Sequence, residues 1–393
     1  MDSAPTLQWT EHGQPRVARW RSERGAPPPS RVVIVDDTTN ADHAYGLAGQ
    51  GTALLWRGDF QNARQMLNAL ASRADRAARR KSKRGAVEPA HEPPPLGSAA
   101  MATAFHLHRQ SRSQRARTLG MLLVEMDADY GIALRRAPDL AQAFVEAHGP
   151  AQEPSVVSLR EALGVVGAHE WRVKGIDVPA AGGRIHPHYG VFAPIRREYV
   201  DLVARAPLPD APDAASEAFD VGTGTGVLAA VLARRGLGHV TATDLDPRAL
   251  SCARENIERL QLRGTVDVVA ADLFPEGRAA LVVCNPPWVP ARPSSPLEHS
   301  IFDPESRMLR GFLAGLAEHV VPGGEGWLIL SDLAEHLGLR PRAALASWIE
   351  AAGLRVVGRL DAQPVHPKVF DATDPLHAAR AAEVTSLWRL TAR

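Results

Sequence analysis

Asn285-Pro286-Pro287-Trp288 is the segment of this chain whose residue types are hardest to account for by folding alone. It follows Leu281-Val-Val-Cys284, an apolar run with the composition of a buried strand. Two prolines fix the backbone just past that strand, leaving carbonyls free and no N–H of their own to satisfy. The side-chain oxygen of Asn285 and the carbonyl of Pro286 can then accept both hydrogens of one NH2 group. Trp288 offers a flat apolar surface against which a planar group can stack. Accepting both protons aims the nitrogen lone pair, so the chemistry is the positioning of a planar amide or amino nitrogen for attack. An Asn-Pro-Pro turn can also do no more than end a strand, and the segments around it decide between the two.

A glycine-rich turn lies upstream, Asp220-Val-Gly222-Thr223-Gly224-Thr-Gly226, with a strand ending at Asp220 and a helix starting near Thr225. Glycines there let the backbone turn tightly and approach a ligand closely. The helix start adds unpaired N–H groups. The next strand ends in Asp244, 24 positions after Asp220, a spacing at which a carboxylate takes ribose hydroxyls. A nicotinamide dinucleotide fits this pair equally well, so the two segments leave the cofactor open. Asp246, before Pro247, reads as a helix cap. Asp272 follows a third strand and suits the amino group of an adenine, or simply a turn.

The elements that must hold these residues alternate. Strands are expected at Ala218–Val221, His239–Thr243, Val266–Ala270, Leu281–Cys284, Gly326–Leu330 and Arg355–Leu360, with helical segments between them. That alternation implies βαβ units and a mostly parallel, doubly wound α/β sheet. Before it, Trp171–Val178 and Arg184–Phe192 flank Ala181-Gly182-Gly183 as a β-hairpin. The organisation expected is a disordered leader over 1–30, a mainly helical N-terminal domain over 31–164 and a catalytic domain over 165–393. A Pro-rich linker is expected near 85–98. Arg31–Val35 reads as a strand, and Phe60, Ala63, Leu67, Leu70 and Ala74 recur at helical spacing from Asp59 to about Arg84.

Composition narrows the class. The net charge of +1 hides a basic stretch between Arg64 and Arg117 whose acids are Asp75, Glu88 and Glu92. It includes Arg79-Arg80-Lys81-Ser-Lys83-Arg84 and Arg109, Arg112, Arg115 and Arg117, and reads as a solvated helix end or a phosphate-tracking surface. Cys252 and Cys284 look like small core residues of a reducing compartment. No apolar h-region opens the chain, and no run approaches the roughly 20 residues a bilayer requires, so a cytoplasmic protein with no membrane contact is expected. His106-Leu-His108 and His186-Pro-His188 have no Cys or carboxylate at metal-ligand spacing, and no metal is expected. His366 reads as structural.

Taken in order, the four segments resemble the class I S-adenosylmethionine-dependent methyltransferases of the small-domain type, and above all the release-factor glutamine N5-methyltransferase group. Asp220-Val-Gly-Thr-Gly-Thr-Gly226 is similar to that group's first motif and Val240-Thr-Ala-Thr-Asp-Leu-Asp-Pro-Arg-Ala-Leu250 to its second. Asp272-Leu-Phe274 and Asn285-Pro-Pro-Trp288 are similar to the later ones. Gly190–Val203 is similar to the segment that follows the family's hairpin and covers the cofactor. The resemblance spans roughly 165–335. It implies a Rossmann-like, seven-stranded domain using S-adenosyl-L-methionine, with Asp220, Gly222, Thr223, Gly224, Gly226, Asp244, Asp272 and Asn285 at the cofactor. Asn285, Pro286, Pro287 and Trp288 would carry the transfer, and Pro194, Arg196 and Glu198 would shape a lid. Three departures bear on the acceptor: Trp288 stands where Tyr is typical, Phe302–Met308 replaces a Glu-Pro and Gly-Gly signature, and the N-terminal half is longer and more basic. The acceptor implied is a protein glutamine, with association to the ribosome or a translation factor. Alternatives are an exocyclic amine of RNA or DNA, whose base would be flipped into the same slot, and a non-catalytic cofactor-binding module.

Overall fold

The computed structural model describes residues 5–85, 94–150, 153–210, 217–365 and 367–393. Contacts divide the chain into two units, one drawn from Met1–Glu92 and His106–Glu170, the other from Pro93–Phe105 and Trp171–Arg393.

The first unit has β1 (Thr6–Glu11), β2 (Gln14–Trp20), β3 (Val32–Val35), α1 (Ala41–Gly49), β4 (Ala53–Trp56) and α2 (Phe60–Gly85). It continues through most of α3 (Ala99–Leu119), then β5 (Leu122–Met126), α4 (Ala141–His148), β6 (Ser155–Ser158) and most of α5 (Leu159–Lys174). Its strands form one sheet in the order β1-β2-β6-β5-β4-β3. This unit carries long helices, but it is organised on six strands where the sequence indicates one. The reason is physical: β4 and β6 are four residues long and wholly buried, so they show no period-2 alternation to separate them from helix. The expected disordered leader is also corrected. β1 and β2 pair antiparallel across His12-Gly13, both at positive φ, a two-residue hairpin geometry. Leu7, Trp9, Ala18 and Trp20 bury one face of that hairpin against Leu55, Leu123 and Val156. The Pro-rich linker lies largely outside the described residues, as does His366.

The second unit opens on a short hairpin, β7 (Ile176–Val178) and β8 (Gly183–Ile185), joined through Gly182 in the left-handed region. The hairpin strands are shorter than expected: Trp171–Lys174 completes α5, and residues 186–192 leave the strand. Next come α6 (Glu198–Arg205), β9 (Glu217–Val221), α7 (Val227–Arg234), β10 (His239–Asp244), α8 (Pro247–Arg259), β11 (Val266–Ala270) and β12 (Ala279–Cys284). The chain closes with α9 (Arg307–His319), β13 (Val320–Ser331), α10 (Leu333–His336), α11 (Ala344–Ala351), β14 (Leu354–Ala362), α12 (His377–Ala381) and β15 (Thr385–Ala392).

The seven strands lie in the order β11-β10-β9-β12-β13-β15-β14. β10 and β12 both pair parallel to β9, while β15 runs antiparallel to β13 and β14. Alternate residues of β12 serve opposite faces. Leu281 and Val283 join the core under α6, α7 and α8; Val282 and Cys284 join the core under α9 and α11. Each such apolar side chain, fully buried, contributes about 1.5–3 kcal/mol. This is the doubly wound seven-stranded arrangement expected. Strand order reverses between β9 and β12, and ligands of open parallel sheets bind at the strands' carboxyl ends at such a point.

Candidate active site

Two loops straddle that reversal. The first follows β9 and is shaped by Gly222 (φ 75), Gly224 (φ 55) and Gly226 (φ 79), all in the left-handed region that favours glycine. Each serves a different surrounding. A Cβ on Gly222 would lie 2.4 Å from Met308 Cε, and one on Gly226 would meet Ala253 Cα of α8 at 3.2 Å. A Cβ on Gly224 meets nothing within 4 Å, so the middle of the loop faces open space. The amides of Gly222 and Thr223 donate to Thr243 O at 2.9 and 2.8 Å, hanging the loop from the end of β10.

Asp220 is buried and works inward. Its Oδ2 accepts the Thr223 hydroxyl at 2.6 Å and the Ala229 amide at 3.0 Å, tying the loop to the first turn of α7. Burial pushes its carboxyl up to about 6, against those two bonds, with the Asp244 charge adding to the rise. Asp244 ends β10, accepts the Gly224 amide at 3.0 Å and the Asp246 amide at 3.0 Å, and stays half-buried. Burial raises its pKa as well. Asp246 caps α8 by accepting the Arg248 amide, with Pro247 at the first helical position, as the sequence indicates. Asp272 follows β11, is exposed, and lies 3.7 Å from Arg307.

The second loop follows β12. Pro286 is buried and Asn285 half-buried. The indole N–H of Trp288 donates to Asn285 Oδ1 at 2.9 Å, which sets the direction of the Asn285 amide and leaves that oxygen a second lone pair. The Arg196 guanidinium lies over the Trp288 ring, 4.9 Å from its centroid. Arg196 is itself held on two sides: Nε donates to Glu198 Oε1 at 2.6 Å and an Nη to Glu383 Oε1 at 3.0 Å. Glu198 and Glu383 are both buried, and Glu383 also accepts the Ser331 hydroxyl at 2.7 Å. Burial works against the charge on Arg196, but the two carboxylates outweigh it and raise its pKa. Pro194 is buried two residues before this arginine.

Phe302–Met308 borders the same loop. Val289 and Phe302 form an isolated parallel bridge, and the Asp303 amide donates to Val289 O at 2.9 Å. The Asp303 carboxylate accepts the Met308 and Leu309 amides, closing the start of α9, and Met308 reaches Gly222. Glu305 and Ser306, with φ 59 and 54, make this entry without glycine. Glu383 and Ser331 are site neighbours that the sequence did not mark, while Asp303 and Met308 lie in the segment it noted only as a departure from the family pattern. Glu383 precedes β15, a strand absent from the sequence expectation, and the others belong to no motif.

The remaining chemistry-bearing residues have local partners. His186 Nδ1 is 2.6 Å from Arg172 O, and His188 Nε2 is 2.7 Å from Glu255. Among the described residues no group of three or more His, Cys, Asp or Glu could hold a metal ion. Cys252 and Cys284 are free and buried. No helix among the described residues is long and apolar enough to cross a membrane.

A glycine turn hung from the second strand, two strand-end carboxylates and an Asn-Pro-Pro-Trp loop across the strand reversal coincide with a family match: residues 182–334 fit the methyltransferase small domain. The match covers residues 182–334 of the 393. Over 157 residues the chain is 34% identical to a release factor glutamine methyltransferase of Cereibacter sphaeroides, covering 36% of this chain and 54% of the relative. A protein of the same name from Deinococcus radiodurans is 36% identical over 158 residues, 36% of this chain and 53% of its own. A ribosomal protein L11 methyltransferase of Pelotomaculum thermopropionicum is 52% identical over 69 residues, 17% of this chain and 22% of that protein. The matched stretches thus span about half the length of the two glutamine methyltransferases and about a fifth of the L11 enzyme.

Proposed function

We propose that the chain transfers a methyl group from S-adenosylmethionine to a planar side-chain amide nitrogen, a glutamine of a protein substrate. The observation that carries this is the Asn285 amide oxygen, fixed by Trp288 past the end of β12, beside the open Gly224 turn. The names of the relatives, two glutamine methyltransferases and an L11 methyltransferase, support a protein acceptor from the translation machinery.

The cofactor's fit rests on two features of the turn: the position at Gly224 where a Cβ would meet nothing, and the half-buried Asp244 carboxylate below it. Gly222, Thr223, Gly224 and Gly226 would border the methionine portion, Asp244 the ribose hydroxyls and Asp272 the adenine amino group. Asp220 acts behind them, holding the turn to α7. When bound, the cofactor supplies an electrophilic methyl on a positively charged sulfur. Asn285 Oδ1 and the Pro286 carbonyl accept the two amide hydrogens, which orients the nitrogen and stabilises the positive charge that grows on it. A C–N bond forms as the S–C bond breaks, and the nitrogen then loses one proton to solvent. No strong base is required, because the proton leaves after the nitrogen has become acidic. Pro287 stiffens the loop. Trp288 presents one ring face to the acceptor plane, while Arg196, held by Glu198 and Glu383, covers the other.

The test is incorporation of labelled methyl from S-adenosylmethionine into a cell extract, followed by protease or nuclease. Protein-borne label that survives nuclease and appears as N-methylglutamine on hydrolysis under amide-preserving conditions supports the proposal. Nuclease-sensitive label would transfer the same site geometry to an exocyclic base amine and overturn the protein acceptor.

A further inference from the structure

The helix pair α2–α3 of the first unit is unlike the rest of the chain. Over Phe60–Gly85 and Ala99–Leu119 it carries twelve Lys and Arg, ten of them Arg, against a single acid, Asp75. Among the described side chains of α2, the buried apolar ones are Phe60, Ala63, Met66, Leu67 and Leu70, all in its first half. Residues 71–80 of α2 and 106–117 of α3 contain no buried side chain. Arg76, Arg79, Arg80 and Arg112 are exposed. Arg115 of α3 reaches across to Asp75 of α2 at 2.7 Å, so the two basic helices meet.

Ion pairs of Arg73 with Asp42 and of Arg115 with Asp75 account for two of these charges but not for the clustering of the others. Arg76 with Arg79 and Arg80, and Arg112 with Arg109 and Arg115, are like charges at i,i+3 or i,i+4, a spacing at which they repel. Further guanidinium groups approach the same place: burial and the nearby charges of Arg24, Arg115 and Arg112 lower the pKa of Arg160. Glu23 and Glu161 lie among them, and burial pushes Glu161 up to about 6, weakening its hold on its proton-free form. A surface that repels itself is stabilised by an external polyanion.

We propose that the α2–α3 surface docks the phosphate backbone of a folded RNA. Arginine dominates lysine, and its planar fork pairs with phosphate oxygens two at a time. Phe, Tyr and Trp are missing from the stretches 71–80 and 106–117, where His106 and His108 are the aromatic rings present, so the main contact is with a backbone of fixed shape and not with stacked bases. The choice of RNA over DNA rests on the proposal above that the acceptor is a translation-machinery protein. On that basis the enzyme would meet its amide on an RNA-bearing particle.

The test uses the full chain and a labelled ribosomal RNA hairpin, with a matched DNA duplex and polyglutamate as competing probes. Binding is followed from about 50 to about 200 mM salt. The variant Arg76→Gln/Arg79→Gln/Arg80→Gln keeps good helix formers at exposed positions. It is expected to lower the slope of log Kd against log salt by about 2–3, since each lost phosphate contact removes roughly 0.7–0.9. Arg109→Gln/Arg112→Gln should lower it by about 1–2 on the same basis. An unchanged slope in both variants, no RNA binding at the lowest salt, or equal affinity for DNA or polyglutamate overturns the proposal. Cofactor affinity measured in parallel separates the two ideas: a chain that binds RNA but not S-adenosylmethionine defeats the methyl-transfer proposal and leaves this one standing.

Discussion

Replacing Trp288 by Phe removes one atom group of consequence, the indole N–H, while keeping an aromatic face for the acceptor and for Arg196. In the wild-type chain that N–H lies 2.9 Å from Asn285 Oδ1 and is part-buried. A net hydrogen bond of this kind is worth about 1 kcal/mol. If all of it serves to aim the Asn285 amide, the rate of methyl transfer at saturating cofactor falls about fivefold, since 1.36 kcal/mol is tenfold. Asn285→Ala deletes the acceptor itself and should cost about a hundredfold or more, the scale seen when one polar group serving a transition state is removed. Affinity for S-adenosylmethionine, which the proposal above assigns chiefly to the other loop, should stay within about twofold in both, because on that proposal little of either side chain's energy goes to the cofactor. The assay is the initial rate of labelled methyl incorporation, paired with calorimetric titration of the cofactor. Full activity in Trp288→Phe alongside an inactive Asn285→Ala would mean that something other than the indole aims Asn285. Full activity in Asn285→Ala would remove the acceptor geometry altogether.

Other consequences can be checked independently. Gly226→Ala places a methyl at 3.2 Å from the Ala253 backbone in a left-handed conformation, so thermal unfolding should show a loss of about 1–2 kcal/mol, whereas an unchanged midpoint refutes the packing account. Asp303→Ala strips the cap from α9 and should destabilise the chain by about 1–2 kcal/mol in denaturant titrations. Asp220 has a folded pKa near 6, above its unfolded value of 3.8. Its protonated form is therefore favoured in the native state, and the stability this gives is present below about pH 4 and lost as pH rises through 6. Asp220→Asn does not titrate, so relative to wild type it should gain up to about 3 kcal/mol between pH 4 and pH 7; a pH-independent difference contradicts the burial account.

Much of the second unit was legible because its signals are local. A helix start needs glycine where φ is positive, and Gly222, Gly224 and Gly226 show this in three letters; a strand buried on both faces needs an unbroken apolar run, and β12 is one. The residues that escaped act through distance in sequence. Glu383 follows Trp288 by some ninety positions, whereas Arg196 and Glu198, about as far before it, were read only as lid residues through the family resemblance. Nothing in the composition around Glu383 separates a buried partner of Arg196 from a solvent-facing acid after a helix. β15, which brings Glu383 to the site, is Thr385-Ser-Leu-Trp-Arg-Leu-Thr-Ala392, and its mixed polarity reads as a tail. It becomes a strand through pairing with both β13 and β14, a tertiary effect that outweighs local preference.

The same principle explains what Trp288 changes relative to tyrosine at that position. A phenol carries its donor at the far tip of the ring, whereas the indole N–H lies on the ring's flank, where it meets an asparagine three residues earlier. The larger ring also accepts a guanidinium over its face, and tryptophan gives the strongest attraction of this type among the aromatic side chains. That attraction works only if Arg196 stays in place, and a half-buried arginine is held in place when its donors are matched by acceptors. Glu198 and Glu383 provide them, and Ser331 fixes Glu383 in turn. The place of Trp288 in this motif therefore depends on four residues outside it, Arg196, Glu198, Glu383 and Ser331. Glu383→Gln tests this dependence: it halves the carboxylate support of Arg196 but leaves Trp288 and Asn285 intact. The expected result is a smaller loss of rate than in Trp288→Phe, with the Trp288 indole N–H signal shifted in the nuclear magnetic resonance spectrum. An unshifted indole signal would show that Trp288 holds its position without Glu383's grip on the arginine.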